Sequence, residues 1–196
     1  MMTWPVPGGH ITAGFDQLRP LSAPQHERWH VHGAIDIAAP AGTPIYAPER
    51  GMLYYFAAIR PNRDRRMSEL ELDHGPFDFG GKNYFYDVFG ALAIVLGNSG
   101  MTHIFAHSWI NQLFNKAPVR ARWRYKESPE LERFPLHAWF TTDGHGRFVR
   151  AGDHIADVGN AGFSTGPHTH YEIHKSRAWQ RWENRPRPEH YYEESR

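Results

Sequence analysis

Three short segments of this chain bring together residue types that can do chemistry as a group. His32-Gly-Ala-Ile-Asp36 sets an imidazole and a carboxylate four residues apart, a spacing that returns to one face of a helix or of a strand. His168-Thr-His170, followed by Tyr171-Glu-Ile173, would project two imidazoles from one face of a strand, with ring nitrogens able to converge on one ion or one water. Phe105-Ala-His107, with His103 four residues before His107, is the third. Each has an ordinary structural explanation alone: a strand-end Asp bonding locally, two polar residues facing solvent, a histidine satisfied inside a β core. Together they supply two neutral imidazoles and one carboxylate, enough for a three-ligand zinc site with an open fourth position for water. Carboxylate and imidazole without thiolate suit zinc, and this chain has no cysteine. Zinc so held lowers the pKa of a water toward neutrality, so that hydroxide can attack a carbonyl. A further histidine or two beside it could take the proton and stabilise the tetrahedral oxyanion.

The elements that must position these residues read as short strands. Gly33 follows His32, and IDIAAPAGTPIY is β-branched, alternating and broken by proline, so the His32–Asp36 segment is expected as strand, with Asp36 between two isoleucines facing the other way. Residues 34–37, 44–47, 52–56, 91–96, 103–106 and 169–173 are short runs rich in β-branched or aromatic residues. The turn clusters APAGTP, GNSG and GNAGFSTGP bound them, the signature of an all-β domain. GNAGFSTGP, a long loop rich in small residues ahead of His168, would let a bulky substrate approach that strand. Helical pattern is weak, with Asp64–Leu72 and Trp109–Phe114 as the fair candidates. Two long segments, Arg60–Gly90 and Asn115–Arg147, break the compact pattern and are expected as functional rims. The closing RPRPEHYYEESR is Pro-rich and charged, and is expected as an extended, frayed tail over residues 185–196.

Composition removes several classes of function. A chain of 196 residues is long enough for one domain with a proper core and marginal for two. With 22 Lys+Arg against 21 Asp+Glu, it lacks the basic excess of a dedicated nucleic-acid binder. The run Arg60–Arg66 is interrupted by Asp64 and contains no stacking aromatics, so it reads as a solvated loop. The longest apolar stretch, Ala91–Leu96, falls far below the roughly 18 residues of a membrane helix, so no membrane insertion is expected. Zero cysteines exclude disulfides and cysteine nucleophiles. MMTWPVPGGHITAGFDQ has neither the basic nor the apolar region of a secretory signal.

At this point the blocks resemble a known family. ITAGFDQLRP is similar to the opening strand of the lysostaphin/LytM-type zinc endopeptidases, peptidoglycan hydrolases that cut stem peptides or cross-bridges. VHGAIDIAAPAGTPIYAPERGMLYY resembles their His-x-x-x-Asp strand and the turn after it. ALAIVLGNSGMTHIFAHS resembles the next strand pair, ending in the family's Tyr-Ala-His-Leu element. VRAGDHIADVGNAGFSTGPHTHYEIH resembles the closing Gly-x-x-Ile-x-x-x-Gly turn and His-x-His-Phe-Glu strand. These blocks cover a little over half the chain, and the two inserts lie outside them. Phe105, Ser108, Thr169 and Tyr171 depart from the family pattern without removing a ligand or catalytic group.

The resemblance implies a mostly β fold: an antiparallel sheet metallopeptidase domain over residues 1–196, with a substrate groove walled by loops, including the inserts near 60–90 and 115–147. It implies one zinc ion per chain on His32, Asp36 and His170, with His168 and His107 flanking the water. The base role goes to His168; His30 and His103 are expected as supporting or structural neighbours. Aromatics and arginines of the inserts could contact glycan or stem-peptide carboxylates, pack outside, or meet another protein. The partner implied is bacterial peptidoglycan, reached in the periplasm or extracellular wall after cytoplasmic synthesis. A phage lysis or tail enzyme, an exported antibacterial effector and an excised domain of a larger hydrolase all suit the chain. Any inhibitor or immunity partner leaves no mark in the sequence.

Rivals separate on particular residues. A D,D-carboxypeptidase motif places histidine seven residues before its aspartate, where this chain has Trp29. A thermolysin-like protease needs His-Glu-x-x-His on a helix, which is absent. The alternative from another class is a non-catalytic relative that binds peptidoglycan or activates amidases; such relatives typically lack metal ligands, whereas all three positions are filled here. A wall-binding or virion module with a vestigial zinc site would hold zinc without turnover.

Overall fold

The computed structural model describes residues 2–20, 29–60, 77–79, 82–109, 139–141, 146–162, 164–175 and 184–192. Nearly all regular structure among them is antiparallel strand, as the alternating, turn-bounded runs predict. In chain order the strands are β1 (His10–Ala13), β2 (Leu18–Pro20), β3 (Trp29–Val31), β4 (Ile35–Ala38), β5 (Pro44–Tyr46), β6 (Gly51–Arg60) and β7 (Phe77–Phe79). They continue with β8 (Lys82–Gly97), β9 (Thr102–Ala106), β10 (Trp139–Thr141), β11 (Arg147–Val149), β12 (His154–Asp157) and β13 (His168–His174). The main sheet runs β1-β4-β13-β9-β8-β6-β10, with β11 paired to β6 and β7 to β8; β12 pairs with β5, and β2 with β3.

The two strands that carry the proposed ligands are therefore neighbours inside the sheet, far apart in sequence and stitched by register. Side chains alternate across a strand. On β4, Ile35 and Ile37 are fully buried on one face while Asp36 takes the other. On β13, Tyr171 and Ile173 join that same core, with Phe105 of β9 stacked on Tyr171 at 4.6 Å between ring centroids. The opposite face of β13 is left to His168, His170, Glu172 and His174. Apolar alternation on one face thus fixes which face the polar residues must share.

Three expectations are revised. The first long segment is not all loop: β7 and the first half of β8 lie within 60–90, and β8 continues the ladder with β6 through Ile59↔Tyr86 and Arg60↔Phe85. The physical reason is the aromatic and β-branched run Tyr84-Phe-Tyr-Asp-Val-Phe89, which favours extended pairing over a rim loop. The C-terminal segment is not frayed over residues 185–192. A 3-10 turn spans Pro188–Tyr191, and Tyr192 is buried, its hydroxyl 2.7 Å from that of Tyr171 and its ring edge-on to Trp4 at 5.0 Å. Aromatic burial outweighs the polar, Pro-rich composition that suggested a tail. Trp109 does not open a helix; its backbone pairs with Asp157. The rest of that candidate helix, residues 110–114, the other candidate, Asp64–Leu72, and most of residues 115–147 lie outside the described residues.

Candidate metal centre

Asp36 and His170 stand directly opposite each other in the β4–β13 ladder. Their side chains leave the same face of the sheet, and Asp36 Oδ1 lies 3.0 Å from His170 Nδ1. His32 reaches them by a different route from the one its spacing predicts. It precedes β4 rather than belonging to it, and a bend at Ala34 separates it from Ile35. Its backbone is pinned to the β1–β2 connection by two bonds, His32 N–H to the Gln17 carbonyl and Asp16 N–H to the His32 carbonyl, both 2.9 Å. The ring then places Nε2 3.1 Å from Asp36 Oδ1 and 3.1 Å from His170 Nδ1.

Among the described residues, these three form the one group of His, Asp or Glu able to hold a metal ion. The donor set fits zinc. Tetrahedral ligands at about 2.1 Å from an ion lie about 3.4 Å apart, close to the separations here. The far side of each imidazole is also committed. His32 Nδ1–H donates to the Gly14 carbonyl at 3.1 Å, and His170 Nε2–H donates to Glu172 Oε1 at 3.0 Å. With those protons placed outward, the inward nitrogens present lone pairs to each other and to a carboxylate. Only a cation or a proton reconciles such a triangle, and this outward tethering is how metal-binding histidines are oriented.

The electrostatics agree. Burial pushes the Asp36 carboxyl up, but hydrogen bonds from His170 and His32 outweigh it and hold it well below the usual carboxylate range. Burial pulls His170 down, yet its bonds to Asp36 and Glu172 carry it well above the usual imidazole range. The cluster is a sink for positive charge.

His168 and His107 stand beside it. His168 opens β13 two residues before His170, and its Nε2 is 3.8 Å from Asp36 Oδ2. Its Nδ1–H donates to the Gly166 carbonyl at 2.8 Å. His107 comes from just past the end of β9, where alternation would turn its ring toward the core. A left-handed backbone, φ 59°, redirects it, so the ring lies 4.8 Å from that of His168 and 6.0 Å from that of His170. A non-glycine residue in this conformation costs about 1–2 kcal/mol, and such outliers gather at functional sites. His107 Nδ1–H donates to the Ala161 carbonyl at 2.8 Å. Burial, followed by the neighbouring His168 and His170, pushes its pKa down to about 3, so His107 is neutral at physiological pH. Both rings consequently direct Nε2 lone pairs, not N–H groups, away from their carbonyl tethers.

The structure thus brings His32, Asp36, His170, His168 and His107 together. His103 lies elsewhere. It is fully buried on the opposite face of the sheet, between Tyr171 Oη at 2.8 Å and Glu49 Oε1 at 2.9 Å, and its role is structural. His30 belongs to β3, and its side chain is outside the described residues.

Glu172, His174 and Arg185 were not singled out by sequence. Glu172 is buried; it takes His170 on Oε1 and His174 Nε2–H on Oε2 at 2.8 Å, and Arg185 lies 3.0 Å from Oε1. Burial pushes its carboxyl up, but the bonds from His170 and His174, with the Arg185 charge, hold it well below the usual range. A signal for the first two was present: His168, His170, Glu172 and His174 alternate at the strand period. Nothing local marks Arg185.

The chain matches no family model and no characterised protein sequence. It does resemble solved structures. A chain of the SpoIIIAH–SpoIIQ complex shares the architecture at a TM-score of 0.50 and 12% identity, with 97% of this chain and 99% of that one covered. The catalytic domain of lysostaphin from Staphylococcus simulans aligns at a TM-score of 0.48 and 16% identity, over 95% of this chain and 94% of that one. A zinc-containing peptidase from Vibrio cholerae aligns at 0.45 and 20%, over 87% of this chain. This chain spans only 35% of that peptidase's length. At such identities the likeness concerns the fold; the chemistry rests on the side chains above. No helix among the described residues is long and apolar enough to cross a membrane.

Proposed function

We propose that this chain is a zinc-dependent endopeptidase that hydrolyses peptide bonds in bacterial peptidoglycan, in stem-peptide cross-links or cross-bridges. One observation carries the reading. Three ligand atoms from His32, Asp36 and His170 converge within 3.0–3.1 Å of one another, each imidazole tethered on its far side, with two more imidazoles alongside. His32, Asp36 and His170 would hold the zinc, which supplies Lewis-acid polarisation of a scissile carbonyl and a water acidic enough to react at neutral pH.

The remaining work falls to the chain's own side chains. His168 is the better proton acceptor. Its Nε2 lone pair faces the site, and the Asp36 carboxylate at 3.8 Å favours the imidazolium that forms. His107 is too weakly basic to compete, because burial and two neighbouring rings disfavour its charged form. Its Nε2 suits accepting a hydrogen bond from the attacking water and so fixing its direction. Once protonated, His168 presents an N–H that can return the proton to the leaving amine.

The test is mass spectrometry of cross-linked peptidoglycan fragments incubated with the zinc-loaded protein, with and without a chelator. New fragments that vanish with chelator are expected, and their masses identify the bond. No cleavage of either diaminopimelate-type or glycine-bridged walls would overturn the enzymatic reading in favour of a wall-binding or amidase-activating module.

A further inference from the structure

We infer that Arg185 is a positioning residue of the metal centre, bracing both histidine ligands from behind; this rests on reading His32, Asp36 and His170 as ligands. The segment after β13 returns to the site and is docked at several points. Arg187 pairs with Asp16, the Phe15 N–H donates to Glu189 Oε1 at 3.3 Å, and Tyr192 bonds Tyr171. From that anchored segment the Arg185 side chain, 8% exposed, runs inward. Its Nη1 lies 3.0 Å from Glu172 Oε1 and donates to the Gly33 carbonyl at 3.1 Å.

Those two acceptors belong to the supports of the two histidine ligands. Gly33 directly follows His32, and Glu172 Oε1 is the oxygen that accepts His170 Nε2–H. Glu172 is contested, because His174 draws its other oxygen at 2.8 Å. A carboxylate held by one histidine on each oxygen could swing toward either. The guanidinium settles the contest by adding a charge-assisted bond on the His170 side. It also ties the irregular His32–Gly33 segment, which no sheet ladder holds, to β13. Outer partners of this kind tune metal affinity by about 10–100-fold.

The experiment measures zinc affinity of the full chain by competition with a chromophoric chelator, for wild type, R185M, R185K, R187M, E172Q and the E172Q/R185M double variant. Expected are a loss of about 10-fold or more in R185M, an intermediate value for R185K, and near wild-type affinity for R187M, whose exposed ion pair only docks the segment. R185M should cost clearly less in the E172Q background than in the wild type, since one of its two arms acts through Glu172 and only the bond to the Gly33 carbonyl remains. Wild-type affinity in R185M, an equal loss in R187M, or an undiminished loss on top of E172Q would each overturn the inference. Should R185M fail to fold, R185K is compared with R187K: weaker zinc binding in R185K alone supports the inference, and equal affinities overturn it. Failure of the wild type to bind zinc would instead sink the metal-centre reading itself.

Discussion

His107 Nδ1–H donates a hydrogen bond to the Ala161 carbonyl at 2.8 Å, so the loop before β13 sets the orientation of a ring that arrives from β9. That loop can come so close because Gly90, at φ 61°, has no Cβ: one built there would collide with the Ala161 carbonyl and its own Cβ. Gly90→Ala is therefore expected to lose at least about 1 kcal/mol from the left-handed backbone alone. It should also displace the Ala161 carbonyl and reduce turnover on the order of 10²-fold through a misplaced His107. Zinc content should stay at the wild-type level. Unchanged turnover in a folded variant would mean that the Ala161 tether does not set the working position of His107.

Ligands and proton-handling groups should separate cleanly on mutation. Asp36→Ala or His170→Ala is expected to abolish zinc retention and activity together, since each removes one corner of a three-atom triangle. His168→Ala should keep its zinc and lose about 10²-fold or more in turnover, the scale of a lost general base. Metal analysis beside kinetics on the same preparations reads both. Wild-type turnover in His168→Ala would move the base role to His107.

Much of this arrangement was legible in the sequence, and what was not has identifiable causes. Ile35, Ile37, Tyr171 and Ile173 alternate with polar residues, so the buried face of each of β4 and β13 could be anticipated from the period, while their pairing, between segments over 130 residues apart, could not. Glu172 and His174 were equally within reach of that rule. The conformation of His107 was not, because positive φ is stabilised by contacts with Phe89 and Ala161, neither near it in sequence. Arg185 was hidden for the same reason: of its two acceptors, Gly33 lies in the β3–β4 connection and Glu172 on β13, neither adjacent to it in sequence. Composition misled at Tyr192, where one buried aromatic overrides a polar neighbourhood. It misled again at 84–89, where an aromatic and β-branched run forms strand in place of an expected loop.

Zinc uptake near neutral pH should release about one proton. The sign follows from His170, whose pKa lies well above the usual imidazole range, so its ring carries both protons before the metal arrives. A ligand imidazole must be neutral at the coordinating nitrogen, so the Nδ1 proton leaves. Asp36, held well below the usual range, has no proton to give. Affinity should accordingly rise with pH through neutrality. Calorimetric titration in buffers of different ionisation enthalpy measures the release directly, and a value of zero would contradict the charge assignment of the cluster.

Acid stability should trace to the other face of the sheet. Burial raises the Glu49 pKa, but hydrogen bonds from His103 and from Ser99 outweigh it and hold the carboxyl at about 2, against an ordinary 4.5. Between those values the unfolded chain binds a proton that the native chain does not, so the contribution is present above about 4.5 and drains away as pH falls toward 2. Glu49→Gln should therefore lower the denaturant midpoint at neutral pH and flatten its fall in acid, the two proteins converging near the bottom of that window. Parallel midpoint curves down to the lowest pH would refute this assignment. Zinc affinity at neutral pH provides the complementary check. Glu49, His103 and Tyr171 form a chain of contacts of 2.9 and 2.8 Å on the face opposite His170. Its loss should weaken the fold without loosening the ligand triangle, whose tethers at Gly14 and Glu172 lie on the other side of the sheet.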